Sequence, residues 1–242
     1  MDISPDSIVI WQWKFITLNA TILFTWFIMG LLVLVSWLVT RKLSVEPDLS
    51  RWQMALETIV SYIRDQIHEI THRDPDDYLP FLGTLFLFIS LSNFLSFVPG
   101  YNPPTGSIST TSALAVCVFF AVPVFAIAKD GAKAYFRHYI KPSVFMLPFH
   151  IIGEFSRTLA LAVRLFGNVM SGTMIVGILL SVAPLFLPVV MHALELLIGQ
   201  IQAYIFAVLA AVYITSASEA HETEKKKEEE KEKSAQHSKE GE

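Results

Sequence analysis

The chain has 242 residues, of which 53% are hydrophobic and 17% are charged, and its formal net charge is −4. Charged residues make up about a quarter of a typical soluble domain, and no basic stripe of the kind that binds nucleic acid is present. Three stretches, 15–40, 78–128 and 165–194, contain no Asp, Glu, Lys or Arg. Because about 20 apolar residues make a membrane-spanning helix, the sequence predicts an all-α integral membrane protein.

The first predicted elements are an outward-facing segment, 1–14, and a membrane helix, 15–40. The start of the chain is acidic, with Asp2 and Asp6, unlike the basic start of a signal peptide. We therefore expect the first helix to be retained. The next segment, 41–78, contains an amphipathic helix that is expected to lie at the membrane interface. Its apolar residues recur at spacings of three and four: Trp52, Leu56, Ile59, Ile63, Ile67 and Ile70.

The uncharged stretch that follows is too long for one upright span. Pro and Gly residues near its middle, from Pro99 to Gly106, are strong turn signals. They divide 79–128 into the second and third membrane helices. A short basic loop, 129–142, comes next.

A long membrane hairpin is predicted over 143–218, with Pro184 and Pro188 at its turn. Its two helices would be longer than the bilayer core of about 30 Å. They could run obliquely, or the first could break near Pro148 or at its glycines; an oblique hairpin with some kinking is favoured. The charged tail, 219–242, should be solvated, helical through charge pairs and disordered at its end.

The basic residues predict the orientation of these five spans. Sixteen of the 18 Lys and Arg residues fall on one side, and Lys14 is the only basic residue on the other. By the positive-inside rule that richer side is cytoplasmic. The amino terminus should therefore lie outside and the carboxyl terminus in the cytoplasm.

Four charged residues stand out in the terminal hairpin: Glu154, Arg157, Arg164 and Glu195. An ionisable group inside a membrane is costly to insert and usually faces a cavity or a partner. Glu154 and Arg157 are close enough in sequence to form a structural pair, or they could line an ion path near the cytoplasmic end. Both interpretations stay open on the sequence alone.

Arg164 is the most informative of the four. It lies far inside the apolar helix with no acid within one turn, Asn168 follows it one turn later, and its charge is permanent because a guanidinium keeps its proton. It needs a partner elsewhere. That partner could be outside this chain, or it could be Glu195, although burying such a pair is costly.

The last helix carries a polar stripe of His192, Glu195, Gly199 and Gln202 at spacings of three, four and three. A carboxylate and an imidazole one turn apart can relay a proton. Hydrogen bonding between helices is the alternative use of such residues. The small residues of the GNVMSG run, 167–172, favour close helix packing.

Motifs of enzymatic chemistry are missing from the sequence, including the metalloprotease, lipase, nucleotide-binding and dinucleotide-binding signatures. The chain is therefore not expected to catalyse a reaction by itself, or to hold a cofactor or metal. Without enzymatic chemistry, two classes of function to consider are a secondary ion transporter and a structural membrane subunit of an energy-transducing complex. A transporter tends to show matching halves, whereas the intramembrane charges here lie in the last third.

Two runs carry a resemblance to a known family: RLFGN at 164–168, preceded by EFSRTLALAV, and QAYIFAVLAAVYI at 202–214. With the five spans, the amphipathic helix and the terminal hairpin, they resemble subunit a of the rotary F-type ATP synthase, the membrane stator that faces the ring of c subunits. The likeness extends over about residues 10–220.

The resemblance implies roles for individual residues. Arg164 would be the family's essential arginine, which faces the ion-carrying carboxylate of each passing c subunit. Asn168 and Gln202 match polar positions near the ring. Many bacterial members have an acid nine residues after the arginine and a histidine on the last helix. Here Thr173 stands at the first position and Glu195 at the second, so the acid has moved to the last helix.

The resemblance also implies a function. The chain would provide two offset half-channels that pass H⁺ or Na⁺ to and from the ring carboxylates and so couple ion flow to rotation. Its partners would be the c-subunit ring, b-type peripheral stalk subunits and the lipid bilayer. It would reside in an energy-transducing membrane such as the bacterial cytoplasmic membrane.

Overall fold

The structure is a computed structural model that describes residues 9–13, 16–41, 51–71, 74–98, 100–131, 147–182 and 186–240. Within these ranges two short strands precede six α-helices. In chain order they are β1 (Val9–Trp13), β2 (Ile16–Asn19), α1 (Ala20–Thr40), α2 (Arg51–Thr71), α3 (Leu79–Leu95), α4 (Ile108–Asp130), α5 (Leu147–Val182) and α6 (Leu187–Glu240). Two 3₁₀ turns, Pro75–Asp77 and Pro104–Gly106, lead into α3 and α4. The predicted all-α membrane class is confirmed.

The start of the first helix differs from the prediction. A helix was expected from residue 15, but 16–19 form a strand and α1 begins at Ala20. The strand pairs antiparallel with β1, with Gln12 opposite Thr17 and Trp13 opposite Ile16. β-branched and aromatic residues favour such pairing, so the apolar run contains a strand as well as a helix.

Four helices are long and apolar enough to cross a membrane: Ala20–Leu38, Ile108–Ala128, Pro148–Val182 and Leu187–Ser216. α3 is a shorter apolar helix of 17 residues. At 1.5 Å per residue it is about 26 Å long, which is at the lower end of the spanning range. With α3 the described chain holds the five apolar helices that the sequence predicts.

The turn between α3 and α4 is tightly built. Gly100 adopts a φ of +87°, which favours glycine. The Oγ of Ser107 then caps α4 by accepting from the Ser109 N–H at 3.2 Å. A Cβ on Gly106 would lie 3.3 Å from Val169 of α5, so this turn packs directly against the terminal hairpin.

The protein core lies among α3, α4, α5 and α6. Its largest fully buried side chains include Leu82, Ile89, Leu165, Phe206 and Ile214. The outward faces are also apolar: Trp26, Phe155 and Val182 are 67%, 61% and 77% exposed. Large apolar side chains on the outside are unusual for a soluble monomer and are expected for a protein surrounded by lipid.

The terminal hairpin is formed by two unbroken helices. α5 is a single helix of 36 residues, so the alternative in which it breaks at its glycines is wrong. A break near Pro148 would involve residues 143–146, which lie outside the described residues. Pro148 sits in the first turn, where its missing N–H costs no hydrogen bond. At about 54 Å, α5 exceeds the bilayer core. An oblique path through the membrane remains a prediction.

α6 continues through the charged tail to Glu240. The tail is therefore helical, as expected, but the helix reaches Glu240, where disorder was expected. Lys225 with Glu229, and Glu229 with Lys233, have the i,i+4 spacing of opposite charges that supports an exposed helix. Side chains after residue 216 lie outside the described part of the structure.

α2 has the amphipathic character that the sequence predicts. Ile67 is buried, while Arg64 and Glu69 are exposed. The helix packs against α3 and α6, and the Tyr204 hydroxyl of α6 donates to the Gln66 Oε1 at 2.7 Å. The side chains of Trp52 and Leu56 lie outside the described residues. Placement of α2 on the membrane surface remains a prediction.

Candidate functional site

Arg164 lies on the exposed side of α5. Within the described residues it makes neither a hydrogen bond nor an ion pair. The alternative in which Arg164 pairs with Glu195 is therefore wrong, since the basic side chain within 4 Å of the Glu195 carboxylate in the described residues is His192. Three small residues on the same face of α5 are also exposed: Ala160, Gly167 and Ser171.

Asn168 and Gln202 join α5 to α6. The Asn168 Nδ2 donates to the Gln202 Oε1 at 2.8 Å. The Gln202 side chain is 2% exposed, and its Nε2 has no hydrogen-bond partner among the described residues. A buried donor of this kind is costly unless it is satisfied, so a water molecule or a partner group is expected there.

Glu195 and His192 are neighbours on α6. The His192 Nδ1 is 3.5 Å from the Glu195 Oε2, and the two side chains are 41% and 14% exposed. The carboxylate lies against Gly172 of α5, where an added Cβ would be 2.7 Å from the Glu195 Oε1. Gly172 thus leaves the space that the carboxylate occupies.

A cavity of about 150 Å³, called here the polar cavity, opens between α3, α5 and α6. It could hold several waters at about 30 Å³ each. Its polar lining residues are Asn93, Ser96, Asn168, Ser171 and Glu195. Arg164, His192 and Gln202 are not among its lining residues, although His192 contacts Glu195 and Gln202 contacts Asn168.

Contacts between α5 and α6 follow one antiparallel register. Gly172 meets Glu195, Asn168 meets Gln202, and the Arg157 guanidinium lies 5.6 Å from the centre of the Tyr213 ring. Arg164 lies between the second and third of these contacts. At 1.5 Å per residue it is about 12 Å from Gly172 and about 10 Å from Arg157 along the helix.

Glu154 and Arg157 do not join the polar cavity. Glu154 is half-buried, and its backbone carbonyl accepts from the Thr158 Oγ1 at 3.0 Å. Arg157 is exposed and turned towards Tyr213. Both residues lie on the far side of Arg164 from the cavity, as their position in the sequence predicts.

The sequence interpretation missed the α3 side of the cavity. Asn93 and Ser96 line it, and the Asn93 Nδ2 donates to the backbone carbonyl of Gly199 at 2.8 Å. Its Oδ1 accepts from the Thr105 Oγ1 at 3.1 Å. The available signal was a group of neutral polar residues at the end of an apolar run, SLSNFLS at 90–96.

The helices and their polar interior define a multi-pass α-helical membrane protein with a polar cavity between α3 and its terminal hairpin. The family model described as ATP synthase A chain matches residues 22–215. The chain is 63% identical over 219 residues to ATP synthase subunit a 2 of Acaryochloris marina, covering 90% of this chain and 94% of that one. It is 58% identical over 216 residues to ATP synthase subunit a 1 of Crocosphaera subtropica (89% and 94%), and 58% identical over 218 residues to ATP synthase subunit a of Albidiferax ferrireducens (90% and 94%).

The chain therefore belongs to the ATP synthase A chain family. The resemblance inferred from the RLFGN run is confirmed. As a family member it is a non-catalytic, ion-translocating subunit in the membrane sector of an ATP synthase.

Proposed function

We propose that the terminal hairpin forms the surface along which a ring of c subunits turns, with Arg164 facing the ion-carrying carboxylate of each passing subunit. The observation that carries this proposal is the environment of Arg164. Arg164 is a permanent cation on the exposed face of an otherwise apolar helix, and no described residue neutralises its charge. An acidic group from a partner would supply the missing charge.

The face of α5 around Arg164 supports a close helical partner. Ala160, Gly167 and Ser171 are exposed, and nothing within the described residues lies within 4 Å of a Cβ built on Gly167. Small residues let helix backbones approach each other in a membrane. A c-subunit helix could therefore bring its carboxylate near the guanidinium.

Two ion paths would meet this surface from opposite sides of the membrane. The polar cavity is proposed as the half-channel facing away from the cytoplasm, with Glu195 as its titrating group and His192, Asn168 and Gln202 beside it. Glu154 and Arg157 would belong to the cytoplasmic half-channel. The position of Arg164 between these two regions supports the assignment.

Arg164 would separate the two half-channels. A carboxylate crosses lipid at lower cost when it is neutral, whereas the guanidinium favours its ionised form because opposite charges attract. The same charge repels cations that would leak directly between the channels. Ions would then pass only when the ring turns and carries them.

The remaining assignments rest on the sequence pattern. The distribution of Lys and Arg supports an outside amino terminus and a cytoplasmic carboxyl terminus, in the bacterial cytoplasmic membrane. We place b-type peripheral stalk subunits among the partners because a stator must be held against the turning ring. The transported ion is H⁺ or Na⁺.

The test is Arg164→Ala in the whole ATP synthase reconstituted in lipid vesicles. ATP-driven ion uptake, measured with and without Na⁺, should be abolished because the charge at the boundary is lost. Arg64→Ala is the matched control, since the exposed pair of Arg64 with Asp76 on α2 is worth at most about 1 kcal/mol. An assembled Arg164→Ala complex that pumps like the wild type would refute the proposed function.

A further inference from the structure

Asn93 connects three separate parts of the fold through its two amide atoms. Its Nδ2 donates to the Gly199 carbonyl of α6 at 2.8 Å. Its Oδ1 accepts from Thr105, in the turn before α4, at 3.1 Å. Asn93 and Thr105 are 4% and 0% exposed. These bonds therefore link α3, the turn and α6 in the protein interior.

The direction of these hydrogen bonds is fixed by the number of available protons. The Thr105 hydroxyl has one hydrogen, and it is donated to the Asn93 Oδ1. The Ser92 Oγ, 3.3 Å from the Thr105 Oγ1, must then act as the donor of that pair. Because the Asn93 Oδ1 must accept from Thr105, the amide nitrogen is the atom that faces the Gly199 carbonyl.

The contact at Gly199 is also steric. A Cβ built there would lie 3.0 Å from the Asn93 Cβ and 3.1 Å from its Nδ2, so a larger residue would push α6 and α3 apart by a few tenths of an ångström. Gly199 lies one helical turn after Glu195, and both residues line the polar cavity together with Asn93. Any displacement of α6 at Gly199 would move Glu195 with it.

We infer that Asn93 is a positioning residue for ion transfer. By holding the Gly199 carbonyl, it fixes the section of α6 that carries Glu195 and so sets where that carboxylate stands in the polar cavity. This inference rests on the proposed role of Glu195 in the half-channel. It gives α3 a role in ion transfer in which Asn93 does not itself take up or release a proton.

A second α3–α6 contact provides a matched control. The Ser90 Oγ donates to the Gln200 Oε1 at 2.5 Å, and the Gln200 Nε2 donates to the Ser90 carbonyl at 3.0 Å. Neither Ser90 nor Gln200 lines the polar cavity. Loss of this contact weakens the same helix pair but leaves the hydrogen bond from Asn93 to Gly199 in place.

The experiment compares Asn93→Leu with Gln200→Leu in the whole ATP synthase in lipid vesicles. ATP-driven ion uptake is measured from about pH 5 to about pH 8, the range in which histidine side chains ordinarily change their charge. The titratable group that faces Glu195 is His192 on α6. The described residues of α3 and α5 that line the cavity are uncharged.

Asn93→Leu should lower the uptake rate about three- to tenfold, as expected for one lost hydrogen bond, and should move the midpoint of the pH profile by at least about half a unit. Gln200→Leu should leave the midpoint unchanged. A rate reduced by the same factor at every pH in Asn93→Leu, or an equal midpoint shift in both variants, would overturn the inference.

Thr105→Val provides an independent test if Asn93→Leu fails to assemble. Valine has nearly the shape of threonine, and among the described residues the hydrogen bonds that link Thr105 to Gly199 pass through Asn93. A smaller midpoint shift is expected because the amide is then less firmly held, and an unchanged midpoint would contradict the inference. Failure of the proposed function would be distinguishable, because ion uptake would then persist in Arg164→Ala.

Discussion

The carboxylate of Glu195 on α6 occupies the space that a side chain at Gly172 on α5 would fill. An added Cβ would lie 2.7 Å from the Oε1, 2.8 Å from the Cδ and 2.9 Å from the Cγ of Glu195. The glycine therefore does more than let two helices approach. It allows an acidic group to lie between them, at the wall of the polar cavity.

Gly172→Ala should displace the Glu195 side chain while leaving the fold intact, because the atoms in conflict belong to the outer part of a flexible side chain. We expect ATP-driven ion uptake to fall roughly tenfold, as for a misplaced reacting group. Adding Glu195→Asp should restore part of the loss, since the shorter side chain avoids the new methyl group.

Gly177→Ala is the control for this prediction. It lies on the same helix, and nothing in the described structure is within 4 Å of a Cβ built there. Its ion uptake should match that of the wild type. Equal losses in the two alanine variants would show that the effect comes from the helix backbone and not from Glu195.

The polar residues of the hairpin could be identified from the sequence because each interrupts an otherwise apolar helix. Arg164 and Glu195 are conspicuous since charged groups are costly to insert in a membrane. Asn93 gave no such signal: it is neutral, and its partner Gly199 is 106 residues away. Contacts of that kind depend on how distant helices meet, which local periodicity does not contain.

The limits of the local pattern are also visible at the first helix. Residues 15–40 form one uncharged run, and apolar composition alone does not distinguish a strand from a helix in a short segment. The pairing of β2 with β1 decides the outcome for 16–19. By contrast, the membrane-spanning parts of α5 and α6, Pro148–Val182 and Leu187–Ser216, follow directly from their long apolar runs.

Glu195→Gln should slow ion uptake at least about tenfold, because an amide cannot take up and release a proton as a carboxylic acid does. Coupling to ATP hydrolysis should be kept, since Arg164 still separates the half-channels. Glu195→Asp should retain more activity than Glu195→Gln. The prediction is wrong if both variants pump at the wild-type rate in assembled complexes.

Single cysteines should reveal which face of α6 meets water. In a Cys117→Ser background, Ser96→Cys and Glu195→Cys should react with a water-soluble thiol reagent, because both positions line the polar cavity. Leu197→Cys should react much more slowly. Its side chain is 58% exposed but lies outside the cavity, on an apolar face. Equal labelling at all three positions would argue against a hydrated cavity.

Deletion of residues 224–242 should leave assembly and ion uptake within about twofold of the wild type. That segment follows the apolar part of α6 and has no apolar stripe with which to bury a core. The measurement compares the amount of assembled complex and its ATP-driven uptake. A complex that assembles with the shortened chain but no longer couples ATP hydrolysis to ion uptake would instead identify the tail as an interaction site.

Arg164→Lys should fail at coupled transport even though the positive charge is kept. An ammonium is a compact, strongly hydrated charge, whereas the planar guanidinium offers several donors to a carboxylate and is more weakly hydrated. An Arg164→Lys complex with wild-type uptake would show that charge alone is sufficient.

Because Arg164 is exposed on α5, its position relative to the ring can be tested directly by crosslinking. A cysteine in place of Arg164 should form a disulfide with a cysteine placed beside the carboxylate of a c-subunit helix. A cysteine in place of Leu165, which is 0% exposed, should not. Crosslinking at 165 but not at 164 would mean that a different face of α5 meets the ring.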